Sequence, residues 1–526
     1  MHLNKNNVLA LFLILATLVL SSIPNWAGYT AETEDLAYKG AFFDPQDYAV
    51  HISMMRAGMQ GDWSYQFRFT TEPHLAAYTR LFYVALGESN RLFNLAPETL
   101  FEIARWVFGF VALLALYALI ERIFKETFWR NIAFLIAVFG SGLGWLQLIL
   151  GWVPGQITPI DFWFIDAYVL FGTALFPHFS FATAALCLIF ALHLDFLEQG
   201  GWGHIGGIVL VAVLTQFVNP IAIVLVDAAI MVITFAIWIQ KRRFNSSQAA
   251  ALGVIAAAQV PLLVYNLRLL TLDPVWSLFT TQNETLSPPA VYYTWGFGLL
   301  WLFAAIGFAF ALRNKQAPLL GATAWIVTAL ALAYVPFAIQ RRFLHGITIP
   351  LALLSAEGLR QTALFIRQKS MLSARIGSML ALLLTLLTTI SSISLILGRG
   401  SLMRNHPEES FYPASLDPAF EWLNQYANMD DFVLSSAPSG LLIAQKTNLR
   451  VYLGHQMETL RFTPKLITVE SFYKGNADPN WLDFTIVQWV FHGPYEQALF
   501  GSAKFQIEEL EISFESGEVT IYHVRP

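Results

Sequence analysis

Apolar runs of roughly 18 to 22 residues, each long enough to cross a hydrocarbon layer about 30 Å thick, recur along this chain from near its start to about position 397. No soluble core absorbs that much apolar sequence, because large chains split into domains and each domain needs its own polar surface. Composition agrees: 56% of the 526 residues are hydrophobic and 13% are charged, about half the charge of an average soluble domain. The net charge of -5 comes without any basic stripe, so the chain carries no nucleic-acid footprint. The one cysteine, Cys187, lies inside an apolar run, which excludes an internal disulfide and a cysteine zinc site.

The first run, Val8 to Ile23, follows Lys5. A retained helix is expected there, although a basic start and the small residues Ser21 and Ser22 also fit a signal peptide. Either reading puts the next segment outside the cytoplasm. Further runs occupy about 101–120, 131–150, 168–194, 205–218, 220–239, 248–267, 293–312, 318–338, 343–366 and 372–397. Counting the pair around Asn219-Pro220 as two, this makes about eleven spans. Lys5, Arg122/Lys125/Arg130, Lys241/Arg242/Arg243, Arg313/Lys315 and Arg367/Lys369/Arg375 all fall on one side, which should be cytoplasmic. The odd count then places the N-terminus inside and the C-terminal part outside.

The expected architecture is an all-α polytopic membrane bundle over residues 1–399, with a large first outer loop (24–98), and a small soluble α/β domain outside the cytoplasm over 400–526. A second outward stretch covers about 268–292. In the C-terminal region helix-like Ala419–Tyr426 and Pro464–Tyr473 alternate with strand-like Phe432–Ser435, Arg450–Leu453, Ile486–Phe491 and Val519–Val524. It holds no G-x-G-x-x-G or P-loop pattern.

Within the first loop, Asp44 followed by Pro45 is a helix start, with Asp44 as N-cap and Pro45 at N1. Val50, Met54, Met55 and Met59 recur at helical spacing, with Asp47, His51 and Arg56 on the more polar side. The pattern predicts a short amphipathic helix at the membrane interface. A capping aspartate has a full structural explanation, so these residues alone leave catalysis open.

Three groups of residues carry a family resemblance. Asp44-x-x-x-Tyr48-Ala49, Gly61-Asp62-Trp63 and Glu72-Pro73-x-Leu75 lie in the first loop; Arg341-Arg342-Phe343-Leu344 and Pro350-Leu351-Ala352-Leu353-Leu354 lie far downstream. Their order and topology resemble the GT-C glycosyltransferase superfamily, nearest the branch of protein O-mannosyltransferases and lipid A aminoarabinose transferases. The family often has Asp-Glu where this chain has Asp44-Pro45, and Lys-Pro-Pro-Leu near Glu72-Pro73-His74-Leu75.

The resemblance implies an inverting transfer of a hexosyl or pentosyl group from a polyprenyl-phosphate sugar to a hydroxyl of a lipid, glycan or protein at the outer membrane face. An acceptor hydroxyl needs a base in the transition state, and Asp44 is the candidate, with Asp47 in reserve. The leaving lipid phosphate is already a stable anion and needs only positive charge nearby. Arg341 and Arg342, at the expected outer end of a span, are its candidate partners, since the guanidinium fork fits phosphate oxygens; snorkelling to headgroups is the plainer account. His51, Glu72, Asp161 and Asp166 are further substrate-binding candidates, and interfacial solvated charge is the simpler reading of the last two. No cofactor is required, and one or two outer carboxylates suffice without a divalent metal while remaining compatible with one. Asp227, inside an apolar run, is either functional or a helix–helix hydrogen bond. His178 and His345 stand alone, outside any H-x-x-x-H or H-E-x-x-H pattern.

Two rival classes remain. A transporter or flippase of a lipid-linked or small substrate should show internal repeats and midplane polar groups, and no repeated half is visible. A catalytically inactive relative should have lost the carboxylate and the arginines, and this chain has both.

Overall fold

The computed structural model describes residues 5–153, 157–370, 374–476, 486–501, 505 and 507–525. Of the residues used for orientation, the side chains of Lys5, Lys369 and Arg375 lie outside what is described. Packing divides the chain into two compact units. The first comprises Met1–Pro24, Ile103–Val264 and Thr285–Gly400; the second comprises Asn25–Glu102, Tyr265–Glu284 and Ser401–Pro526.

Among the described residues, five helices are long and apolar enough to cross a membrane: Val8–Thr30, Pro97–Ile123, Pro177–Gln199, Pro220–Lys241 and Ser246–Leu272. Two bent pairs qualify together, Ala290–Phe297 with Leu299–Asn314 at 87° and Ile376–Leu387 with Ile390–Asn405 at 45°. Thr127–Phe139, Trp202–Val218 and Ala317–Leu332 are shorter apolar helices. Asn219 ends one helix and caps the next, accepting the Ala222 N–H at 3.2 Å, so the Asn219-Pro220 segment does form two helices.

Broken helices leave backbone groups that hydrocarbon cannot satisfy. Here one short segment serves both bends. Leu143 N–H donates to the Trp295 carbonyl at 2.8 Å, and the N–H and hydroxyl of Ser141 both donate to the Thr388 carbonyl, at 2.7 and 2.8 Å. Gly298, at φ +43°, turns the first bend where a Cβ would stand 2.8 Å from Leu143. Deeper in the first unit, Gln216 donates to Gln259 at 3.0 Å and Gln259 to Asp227 at 2.8 Å. Gln259 therefore links Gln216 and Asp227 across three helices, in line with the helix–helix hydrogen-bond reading of Asp227.

In the second unit the helix Pro45–Met59 forms where the Asp-Pro pair predicts it. Its expected amphipathic placement is not observed. His51, Met54, Met55 and the residues between are all buried, because the helix packs on Phe82–Ser89 on one side and Ala437–Lys446 on another. Glycines permit the first contact: a Cβ on Gly58 would fall 2.0 Å from the Val84 carbonyl oxygen, and one on Gly87 would fall 1.9 Å from that of Met55.

Strand β1 (Leu36–Tyr38) pairs antiparallel with β2 (Phe411–Pro413), joining the first loop to the chain's last segment. The remaining strands, β3 (Phe432–Leu434), β4 (Arg450–Val451), β5 (Trp489–His492), β6 (Leu510–Ser516) and β7 (Val519–Val524), form one sheet in the order β4-β3-β5-β7-β6. β3 runs parallel to β4 and β5, and β7 antiparallel to β5 and β6. Leu434, Val469, Tyr473, Val490 and Tyr522 build the core between this sheet and the helix Phe462–Tyr473. The small α/β region read from the sequence is present.

Candidate functional site

Each unit holds its own set of candidate groups. In the second, Asp44 takes a left-handed conformation (φ 51°, ψ 59°) and its Oδ1 accepts the Asp47 N–H at 3.2 Å. An N-cap normally sits in the extended region. A non-glycine residue in the left-handed region costs about 1–3 kcal/mol, less for aspartate, which tolerates it better than most. Asp44 is thus both the helix cap and a half-buried carboxylate on a strained turn.

Asp47, one turn on and 42% exposed, faces His455, whose Nε2 lies 3.1 Å from its Oδ1. The backbone N–H groups of Met457 and Glu458 point at His455 Nδ1, at 3.2 and 3.1 Å. Two donors at Nδ1 fix the tautomer: the ring proton sits on Nε2 and is given to Asp47. Burial lowers the proton affinity of His455, and the hydrogen bond to Asp47 with the charges of Asp47, Glu458 and Asp44 more than reverses that.

Glu458 is buried and bonded on both oxygens, to the Tyr65 hydroxyl at 2.5 Å and to Arg80 Nη1 at 2.6 Å. Arg80 also has a left-handed backbone, at φ 57°, and lies over the rings of Tyr65 and Phe279. Nearby, Glu72 pairs with Lys465 Nζ at 2.8 Å and accepts the Thr70 hydroxyl. Burial would raise the Glu72 pKa, and Lys465 and these hydrogen bonds bring it below the ordinary value. His51 does not face a polar surface; it is buried and stacked on Tyr83 with centroids 4.1 Å apart.

In the first unit the two arginines lie in a 3-10 turn, Gln340–Leu344, rather than on a helix end. Ala317–Leu332 stops early, Pro336 follows, and the next helix starts only at Thr348, after Gly346 at φ +65°. The guanidinium of Arg341 lies 4.9 Å from the ring centre of Trp163 and 5.5 Å from that of Phe164. Its Nε is buried without a hydrogen-bond partner among the described residues. Burial lowers its proton affinity and Arg342 adds to this, while Asp166 opposes it. Asp166 sits in the turn Ile165–Ala167, and its carbonyl accepts the Gly346 N–H at 2.8 Å.

Asp161 is not solvated charge: it is 2% exposed and accepts the Gly144 N–H at 3.1 Å. Burial pushes its pKa up to about 6 despite hydrogen bonds from Ser391, Gly144 and Gly142. Among the described residues no group of three or more His, Cys, Asp or Glu side chains is arranged to hold a metal ion. Sequence reading missed Arg80, His455, Glu458 and Lys465.

No family model matches the sequence, and no curated protein matches it. Solved structures do match. ArnT from Cupriavidus metallidurans in the apo state aligns over 98% of this chain and 97% of its own, at 11% identity and a TM-score of 0.52. The same protein bound to undecaprenyl phosphate gives 12% identity over the same shares and the same TM-score. An archaeal oligosaccharyltransferase, AglB from Archaeoglobus fulgidus in complex with an inhibitory peptide and a dolichol-phosphate, aligns over 92% of this chain and 69% of its own, at 13% identity and a TM-score of 0.49. The chain is a multi-pass membrane protein with the GT-C fold. In particular it is built on the plan of ArnT, matched almost end to end.

Proposed function

We propose that this protein is a membrane glycosyltransferase that moves a sugar from a polyprenyl-phosphate donor to an acceptor hydroxyl. The acceptor oxygen forms a bond to the anomeric carbon as the bond from that carbon to the phosphate oxygen breaks. Its proton passes to Asp44, and the lipid phosphate leaves as an anion. Attack opposite the leaving group inverts the anomeric configuration. Asp47 is the second carboxylate, able to take the proton if Asp44 acts only as the cap.

Arg341 carries this reading. Its guanidinium lies over Trp163 with a buried, unpartnered Nε, so one N–H still lacks the acceptor that burial requires. A phosphate oxygen supplies that acceptor and a charge of the right sign. Arg342, next in the same turn, adds a second cation, and Asp166 orients the first. The likeness to ArnT, whose structure with undecaprenyl phosphate is among those matched, supports the same donor class. Of the other candidates, Glu72 is proposed to act with Lys465, while His51 and Asp161 support the fold.

The N-terminus is proposed to be cytoplasmic and residues 400–526 extracytoplasmic, so that transfer occurs at the outer face. The test is binding of undecaprenyl phosphate to the purified protein, followed by thermal shift. Wild type should be stabilised at micromolar lipid and the Arg341→Ala/Arg342→Ala variant should not. Equal stabilisation of both would contradict the arginine assignment.

A further inference from the structure

The pairing of His455 with Asp47 joins two elements far apart in the chain. The helix Pro45–Met59 presents Asp44 and Asp47 one turn apart. The turn 455–458 presents one N–H donor, His455 Nε2, to the second of them. That turn is itself held at both ends: Met457 and Glu458 N–H groups fix His455 Nδ1, and Glu458 is gripped by Tyr65 and Arg80. His455 is 5% exposed, so its ring has no freedom to turn to another partner.

Asp44 and Asp47 stand one turn apart, and a hydrogen bond donated to a carboxylate favours its ionised form. A transferase that uses either as base needs it unprotonated at working pH. Beside His455, Glu458 and Arg80 also act electrostatically in this cluster and are bound to each other. Arg80 is paired with Glu458, and His455 Nε2 donates directly to Asp47.

We propose that His455 is a positioning residue of the active site: its Nε2–H holds Asp47 in place and favours its ionised form. On this account the C-terminal segment is part of the catalytic machinery and not a separate acceptor module. The inference rests on the glycosyltransferase reading for its kinetic consequence, while the pairing itself stands on geometry alone.

Two substitutions separate the two ends of the imidazole. In His455→Asn the short amide can still accept from the Met457 and Glu458 N–H groups, as Nδ1 does, and no longer reaches Asp47. In His455→Gln the longer amide can still donate to Asp47. The full-length protein in lipid nanodiscs is assayed for transfer as a function of pH. His455→Asn is expected to lose about tenfold in kcat, with the acid limb of kcat/KM moved up by about one pH unit. His455→Gln should keep the wild-type acid limb and recover most of the rate. Selective ¹⁵N-histidine NMR, with the His455 signal assigned by its absence in His455→Gln, should show the Nε2–H tautomer and a changed signal in Asp47→Asn.

An acid limb in His455→Asn that superimposes on wild type would overturn the proposal. So would equal losses in both variants without a pH shift, which would mark His455 as a backbone cap only. If wild type transfers no sugar while the NMR pairing is present, the functional reading fails and the pairing survives. If wild type is active and Asp47→Asn leaves the His455 signal unchanged, the pairing fails and the functional reading survives.

Discussion

Lys465 Nζ lies 2.8 Å from Glu72 Oε2, and the two residues are 393 positions apart in the chain. Lys465, from the helix Phe462–Tyr473, neutralises the glutamate.

This pair predicts a pH dependence. Glu72 has a folded pKa below its unfolded value, so its contribution to stability is present above the ordinary glutamate pKa of about 4.3. It is lost as pH falls through the depressed folded value. Glu72→Gln should therefore be less stable than wild type at pH 7, by about 1 kcal/mol given the partial exposure of the pair. Thermal unfolding of both proteins at a series of pH values should show the gap closing on acidification below about pH 4. A constant gap across pH would mean that Glu72 contributes through packing rather than charge.

Close helix contact makes a second prediction. A Cβ at Gly58 or Gly87 would meet a carbonyl oxygen at 2.0 or 1.9 Å, and backbone atoms cannot swing aside as a long side chain would. Gly58→Ala and Gly87→Ala should each destabilise by about 3 kcal/mol. Gly61→Ala is the control, since nothing lies within 4 Å of the added carbon and only its φ of +98° resists the change; about 1 kcal/mol is expected. Chemical or thermal denaturation in detergent reads all three.

The intramembrane hydrogen bond of Asp227 gives a third. Asp227→Asn retains an acceptor for Gln259 and should transfer sugar within about twofold of wild type, whereas Asp227→Leu should lose about 0.6 to 1.7 kcal/mol of stability. Loss of transfer in a folded Asp227→Asn protein would favour the functional reading of this residue.

At the proposed phosphate site the guanidinium–ring contact distinguishes arginine from lysine. Arg341→Lys keeps the charge and forfeits the ring contact and the fork. Donor KM should rise about tenfold with a smaller change in kcat, as for a lost charge-assisted hydrogen bond of about 1.5 kcal/mol.

Much of the fold is legible because its signals are local. An apolar run of sufficient length needs a bilayer wherever the rest of the chain goes, and the Asp44-Pro45 pair starts a helix by its own stereochemistry. The α/β alternation after Ser401 is visible for the same reason, down to the strand Val519–Val524. What the sequence hides is which side of an element meets what. His51 and Met55 follow an amphipathic spacing, yet both sides of that helix are covered, one by Phe82–Ser89 and the other by Ala437–Lys446. The His455 contact spans 408 positions and has no periodicity to announce it. Arg341 was identified as a phosphate candidate from its charge, while the irregular turn that carries it depends on Pro336 and on the Gly346–Asp166 bond.

Whether Asp44 is a catalytic base is tested most directly by sugar transfer itself, measured with purified wild type, Asp44→Asn and Asp47→Asn, undecaprenyl-phosphate sugars and a hydroxyl acceptor. Wild type should release undecaprenyl phosphate and give product of inverted anomeric configuration. Asp44→Asn, with the amide oxygen still able to cap the helix, should fold normally and lose at least about a hundredfold in rate, as expected for removal of a general base. Asp47→Asn should lose less. Undiminished transfer by Asp44→Asn, or a retained anomeric configuration in the wild-type product, would contradict the account.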